Sequence, residues 1–132
     1  MKKILIVEDQ IEVRKMLTIA LRRPSHITLE AATALSALEL AKLHKPLVVI
    51  LDAQLPGTPD GLQVCEWIKG DQELKDCYIV LISTSSEHKD VDMAKKAGAN
   101  AYFVKPFRLA SLVEVVVHHR KLKETFVLVE AV

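Results

Sequence analysis

Short apolar runs alternate along this chain with longer stretches whose apolar residues recur at helical spacing. Residues 4–7, 47–51, 79–82 and 101–104 are apolar at every position, as in strands buried on both faces. Residues 27–31 differ, because Ile27, Leu29 and Ala31 alternate with Thr28 and Glu30. That pattern predicts a strand with one wetter face, at a sheet edge. Between the runs, Val13, Met16, Leu17, Ala20 and Leu21 share one helical stripe. Ala34, Leu35, Leu38 and Ala41 share a second, with Thr33 placed as N-cap. Val64, Cys65 and Ile68 form a third, preceded by Asp60 and Gln63 at capping-box spacing. Val91 and Ala94 mark a fourth helix that Gly98 ends, and Leu109, Leu112, Val113 and Val116 a fifth. Strand then helix, five times over, predicts an α/β fold with a parallel sheet and right-handed crossovers.

In such a sheet, sites form beyond the carboxyl ends of the strands, near the point where strand order reverses. The polar residues that follow each run are therefore the candidates. They are Glu8 and Asp9 after the first, Asp52 after the third, Ser83 and Thr84 after the fourth, and Lys105 after the fifth. A strand order 2-1-3-4-5 would bring the three carboxylates to one crevice, with a hydroxyl and an ammonium opposite. Close carboxylates repel unless a cation joins them, and oxygen ligands alone favour a hard ion such as Mg²⁺. An ammonium there suits a phosphoryl oxygen. A carboxylate nucleophile, a divalent ion and a lysine are what phosphoryl transfer to an aspartate requires. Singly, each residue has a plainer reading: Asp9 as the N-cap of the first helix, Glu8 as a loop residue, Ser83 as a cap, Lys105 as one surface lysine of many. Their joint placement at four strand ends outweighs those readings.

Composition narrows the classes. The 132 residues are half hydrophobic and 27% charged, a globular balance that fits one domain. Net charge is +1, with 18 basic and 17 acidic residues spread along the chain, so nothing marks it for nucleic acid. No apolar run is long enough to span a membrane. Cys65 and Cys77 match no metal or redox spacing and read as reduced, partly buried thiols of a cytoplasmic protein.

The motifs ILIVEDQ, VVILDAQLPG, YIVLIS and AYFVKPF, in that order and with Lys105 22 positions after Ser83, resemble the receiver domain of bacterial two-component response regulators. The resemblance runs from residue 1 to about 120, leaving 121–132 as an extension or linker. It implies a flavodoxin-like fold with five parallel strands in the order 2-1-3-4-5 and five helices. It implies that Asp52 is the phosphoacceptor, and that Glu8, Asp9, Asp52 and the backbone carbonyl of Gln54 hold Mg²⁺. Ser83 and Lys105 would bind the phosphoryl group, and Tyr102 would switch with it. The implied partners are a sensor histidine kinase or a histidine phosphotransfer protein. A homodimer is compatible with the role.

Three features depart from the family's commonest pattern. The loop PGTPDG is one residue longer than usual, Ser83 replaces threonine, and Thr84 stands where alanine or glycine is usual. The segment KLKETFVLVEAV lies outside the resemblance. It could extend the last helix, add a strand, contact a partner or begin a further region. No output motif follows, so the expectation is a single-domain regulator or the first part of a larger one. Ser83 and Lys105 root the region of the fourth helix, fifth strand and fifth helix. Output is expected through that face to a protein target, with Val117 as an exposed apolar contact. There Tyr102 is either a switch or a fixed aromatic on an edge strand. Three alternatives share the fold: a flavodoxin-like cofactor binder, an aspartyl-nucleophile phosphatase, and an interaction module that works without phosphorylation. Glu8 and Asp9 would repel a cofactor phosphate. Gln54 stands where the phosphatase would need an acid.

Overall fold

The computed structural model describes residues 1–132. Strands β1 (Lys2–Val7), β2 (His26–Ala31), β3 (Val48–Asp52), β4 (Tyr78–Ser83), β5 (Ala101–Val104) and β6 (Val127–Val129) form one sheet. Helices α1 (Ile11–Ala20), α2 (Ala34–His44), α3 (Gly61–Gly70), α4 (His88–Lys96), α5 (Leu109–Val117) and α6 (His119–Leu122) connect them. The strand order is β2-β1-β3-β4-β5-β6, and every adjacent pair is parallel. The predicted order is therefore present, extended by one strand.

Strict alternation divides the apolar strands between two cores. Leu5, Val7, Val49, Leu51, Ile79, Leu81, Tyr102 and Val104 face one side, with Val64, Ile68, Val91 and Ala94 from α3 and α4. Ile4, Ile6, Val48, Ile50, Val80, Ile82 and Phe103 face the other, with Leu17 of α1 and Leu112 and Val116 of α5. This is the three-layer sandwich expected of strands apolar on both faces. As expected, β2 is the edge strand, and its residues are only partly covered apart from Ala31. Thr33 caps α2 by accepting from the Ser36 amide, and Asp60 and Gln63 form a reciprocal capping box on α3. Gly98 closes α4 with φ +94°, a left-handed conformation that favours glycine. Both cysteines are buried, and burial pushes each thiol up to about 12, which leaves them unreactive near neutral pH.

Several expectations need correction. The sheet has six strands and the chain six helices, because residues 119–129 add α6 and β6. Strand β6 pairs along the outer side of β5, so β5 is not an edge and Tyr102 is not an edge aromatic. Unpaired backbone groups along β5 would otherwise face solvent, which is what a sixth strand relieves. Met16 and Leu35, assigned to buried stripes, are exposed. Val117 is half-buried, and its carbonyl accepts from the Lys2 ammonium at 3.5 Å. It lines a hollow with Met1, Lys2 and Leu47 at the amino ends of the strands, the pole away from Asp52, so it is not a contact on the expected face.

Candidate functional site

The carboxyl ends of β1 and β3 lie side by side, with Val7 in register with Leu51. Both strands stop where polar residues begin, so Glu8, Asp9 and Asp52 converge. One carboxylate oxygen from each lies within 4.8 Å of the others, a spacing one cation can bridge. Glu8 and Asp52 are buried, whereas Asp9 is exposed. The N-cap of α1 is Gln10, not Asp9, which leaves the Asp9 carboxylate free of a capping role.

Lys105, at the end of β5, places its ammonium 3.8 Å from Asp52 Oδ2 and 3.9 Å from Glu8 Oε1. These are long contacts, so the lysine balances the cluster's charge without closing on either carboxylate. Asp52 Oδ1 accepts the Gln54 amide at 2.9 Å. Ser83, buried at the end of β4, accepts the Ser85 amide at 3.1 Å. The Tyr102 hydroxyl donates to the Ser85 carbonyl at 2.8 Å, so the ring is turned inward beneath the β4–α4 loop. The Ser85 hydroxyl in turn bonds the Asp90 carboxylate on α4. Glu8, Asp9, Asp52 and Lys105 thus share one crevice, and Ser83 and Thr84 stand at the end of the neighbouring strand β4. Tyr102 reaches it only through Ser85.

Two features of the site were not anticipated. Arg14 of α1 donates to the Glu8 carbonyl at 2.8 Å and pairs with Glu30 of β2 at 2.9 Å, fixing the β1–α1 turn that carries Glu8 and Asp9. Gln54 and Thr84 exchange two hydrogen bonds: Gln54 Nε2 donates to Thr84 Oγ1 at 2.8 Å, and the Thr84 amide donates to Gln54 Oε1 at 3.2 Å. The unusual Thr84 therefore ties the loop after β3 to the loop after β4. An apolar cleft of about 480 Å³ adjoins the crevice, lined by Val13, Met16, Phe107 and Leu109 beside Glu8 and Lys105.

Within the crevice, the protonation of Glu8 is disturbed by its surroundings. Burial pushes its carboxyl up to about 7; the Gln10 amide opposes that, the Asp52 and Asp9 carboxylates add to it, and Lys105 opposes it. Without a cation, the fold must hold a carboxylate that burial disfavours. At low pH Glu8 is protonated in both folded and unfolded chains, so it costs nothing. The cost grows as pH rises from the unfolded value of about 4.5 and is complete above about 7. In the presence of a chelator, Glu8→Gln is expected to be on the order of 2 kcal/mol more stable than the parent near pH 8.5. The difference should vanish near pH 4. Urea melts at both pH values measure it, and a variant less stable at the higher pH would contradict the stated environment of Glu8.

The model of the response regulator receiver domain matches residues 4–117. The chain belongs to this family. Among curated receiver proteins, it is 29% identical to the polar-differentiation response regulator DivK of Brucella abortus over 115 residues, 87% of this chain and 93% of that one. The signal receiver domain of a DNA-binding response regulator from Colwellia psychrerythraea superposes with a TM-score of 0.85 at 27% identity, covering 92% and 99% of the two chains. The Mn²⁺-bound form of response regulator Rcp1 gives a TM-score of 0.74 at 25% identity, covering 93% and 96%. The protein thus has the flavodoxin-like receiver fold of two-component signalling, and β6 lies beyond the family's matched residues. No helix is long and apolar enough to cross a membrane.

Proposed function

We propose that this receiver domain is a phosphorylation-dependent switch, with Asp52 as phosphoacceptor and a divalent ion, physiologically Mg²⁺, held by Glu8, Asp9, Asp52 and the Gln54 carbonyl. The observation that carries the reading is the cluster of three carboxylates within bridging distance of one cation, with an ammonium 3.8 Å from the central one. The donor set is oxygen only and partly exposed, which suits an ion that keeps several waters. A divalent ion, Mn²⁺, is named as bound in the related Rcp1 structure.

Asp52 has one oxygen engaged and one free. Oδ1 is held by the Gln54 amide, and that bond fixes the carboxylate plane. Oδ2 has only the distant Lys105 beside it and is the nucleophile. Its bond to phosphorus forms as the bond from phosphorus to a donor histidine nitrogen breaks, in line. A divalent ion held by these residues would supply positive charge to the transferring phosphoryl group. Lys105 neutralises one of that group's oxygens, and the Ser83 hydroxyl donates to another. The donor protein, a sensor histidine kinase or a phosphotransfer protein, has the apolar cleft between α1 and α5 in which to seat beside the crevice. Ser83 drawn toward a phosphoryl group tightens the β4–α4 loop, and Ser85 passes that movement to Tyr102. The chain turns over only its own aspartyl phosphate, and its place is the cytoplasm.

The test uses acetyl phosphate as a small phosphodonor, with Mg²⁺ or with a chelator, and locates the adduct by mass spectrometry. One phosphoryl group is expected on Asp52, with labelling lowered roughly tenfold or more by the chelator. Equal labelling in both conditions would remove the divalent ion from the mechanism.

A further inference from the structure

The outer side of β5 is covered by the last residues of this chain. Residues 118–132 lie outside the matched region, yet they bring a strand to that side. Ala101, Tyr102 and Phe103 stand in register with Val127, Leu128 and Val129. The Val127 amide donates to the Asn100 carbonyl and the Val132 amide to the Pro106 carbonyl, each at 3.0 Å. The segment therefore tracks the whole length of β5.

Its hold is weak beside that of the strand it covers. Every residue of β5 is buried, whereas Val127 and Val129 are half-buried, Leu128 is 45% exposed and Val132 is 71% exposed. Val127 and Val129 lean on the core beside α5. Phe126 leans on the opposite core, with the Lys95 ammonium 5.0 Å from its ring centre. The joining residues Lys123, Glu124 and Thr125 are all exposed. The segment covers each core only with half-buried side chains, and if it swings away it leaves a bare parallel edge with an apolar seat on each side.

We propose that the outer edge of β5 is a strand-binding groove for a protein partner, with residues 126–132 as its resident occupant. The partner docks by laying an extended segment along β5, parallel to it, in place of residues 126–132. The resident segment specifies what fits: an aromatic at the start to stack under Lys95, then apolar residues on both faces, with backbone groups completing the ladder. Competition with a tethered segment lowers apparent affinity by the fraction of time the groove is open. Anything that loosens the resident segment strengthens partner binding. A partner that instead added to the free side of β6 would show the opposite dependence, because loosening β6 would remove its template.

The groove also lies within reach of the crevice. Tyr102, bonded to Ser85, is the register partner of Leu128, and Pro106, which holds Val132, follows Lys105. Coupling of groove to crevice rests on Asp52 being the phosphoacceptor. The docking itself does not, so the test is run without a phosphodonor.

A fluorescent peptide TFVLVEAV, the sequence of residues 125–132, serves as the probe against the full chain, read by anisotropy. Val127→Pro removes the amide that bonds Asn100, and Phe126→Ala removes the ring under Lys95. Each variant is expected to bind the peptide roughly tenfold or more tightly than the parent chain. Equal or weaker binding by the folded variants overturns the proposal and places any docking on β6. Hydrogen exchange on the unaltered chain gives a reading that needs no variant. The Val127 and Val129 amides are expected to exchange at least about tenfold faster than those of Val49 and Ile50. Exchange as slow as in β3 would show that the segment leaves only on global unfolding, and the groove would then not exist.

Discussion

Asp52→Asn is expected to abolish labelling by acetyl phosphate, a loss on the order of a hundredfold or more, while the fold survives. The change keeps the side chain's shape. An asparagine oxygen can still accept the Gln54 amide, so the β3–α3 turn keeps its hydrogen bond. What is lost is the nucleophilic carboxylate and one negative charge of the cluster. Two other carboxylates stand close enough to be suspected as substitutes. Glu8 is a poor one, because it is buried and the Gln10 amide occupies one of its oxygens. Asp9 is exposed to water on the rim, and Lys105 pairs with Glu8 and Asp52 but not with it. Removing the Asp52 charge also relieves Glu8, so the variant should be no less stable than the parent without divalent ions. Adduct mass and a urea melt on the same preparation decide the matter. Undiminished labelling in a folded Asp52→Asn protein would sink the assignment.

The fold was legible because its strands advertise themselves. Runs apolar at every position admit few structures besides strands covered on both sides, and four of the six strands fall on such runs, with β2 on the alternating one. Strand β6 was harder. Residues 126–129 are apolar at every position like the other runs, but they follow a charged stretch and sit at the margin of the sheet with one side open; an added strand was one of four roles open to that segment. The helical stripes misled in one instructive way. Helix α2 packs through Ala34, Ala37 and Ala41, small residues that let it lie close to the sheet. Its leucines then flank the contact, and Leu35 and Leu43 point to solvent. The stripe read from the sequence is right in Ala34, Leu38 and Ala41 and wrong in Leu35, and it passes over the buried Ala37.

The meeting of Glu8, Asp9, Asp52 and Lys105 was legible, because topology alone carries strand ends to one place. The groups that steady it were not. Arg14 reaches Glu8 and Glu30 from the middle of α1, where it looks like any solvated arginine. The Gln54–Thr84 pair links residues 30 apart and exists only because β3 and β4 are neighbours. A signal was present in the predicted strand order: polar residues just beyond adjacent strand ends must face one another. Following it would have given Thr84 its partner in Gln54.

Gly61→Ala is expected to destabilise the protein by about 3 kcal/mol or more, the largest stability loss expected from adding one methyl group here. Gly61 opens α3, and a Cβ there would lie 1.9 Å from the Asp52 carbonyl oxygen and 2.6 Å from Ala53 Cα. Both are backbone atoms, so no side chain can rotate to make room. Either α3 backs away from the sheet, exposing Val64 and Cys65, or the end of β3 shifts and carries Asp52 with it. The long PGTPDG loop is thus constrained at its far end by contact with the residue it follows. The effect is steric and not a matter of backbone conformation, which separates it from Gly57. That residue has φ +82° with open space around its Cβ position, so alanine there meets only the modest penalty of a left-handed conformation. Gly70, at the end of α3 and with nothing near its Cβ position, should accept alanine at little cost and provides the control. Thermal melts of the three alanine variants should rank them Gly70, Gly57, Gly61 in increasing loss. Gly61→Ala should melt roughly 10 °C below the parent. A Gly61→Ala protein as stable as the Gly70→Ala control would mean that α3 does not press on the backbone of Asp52.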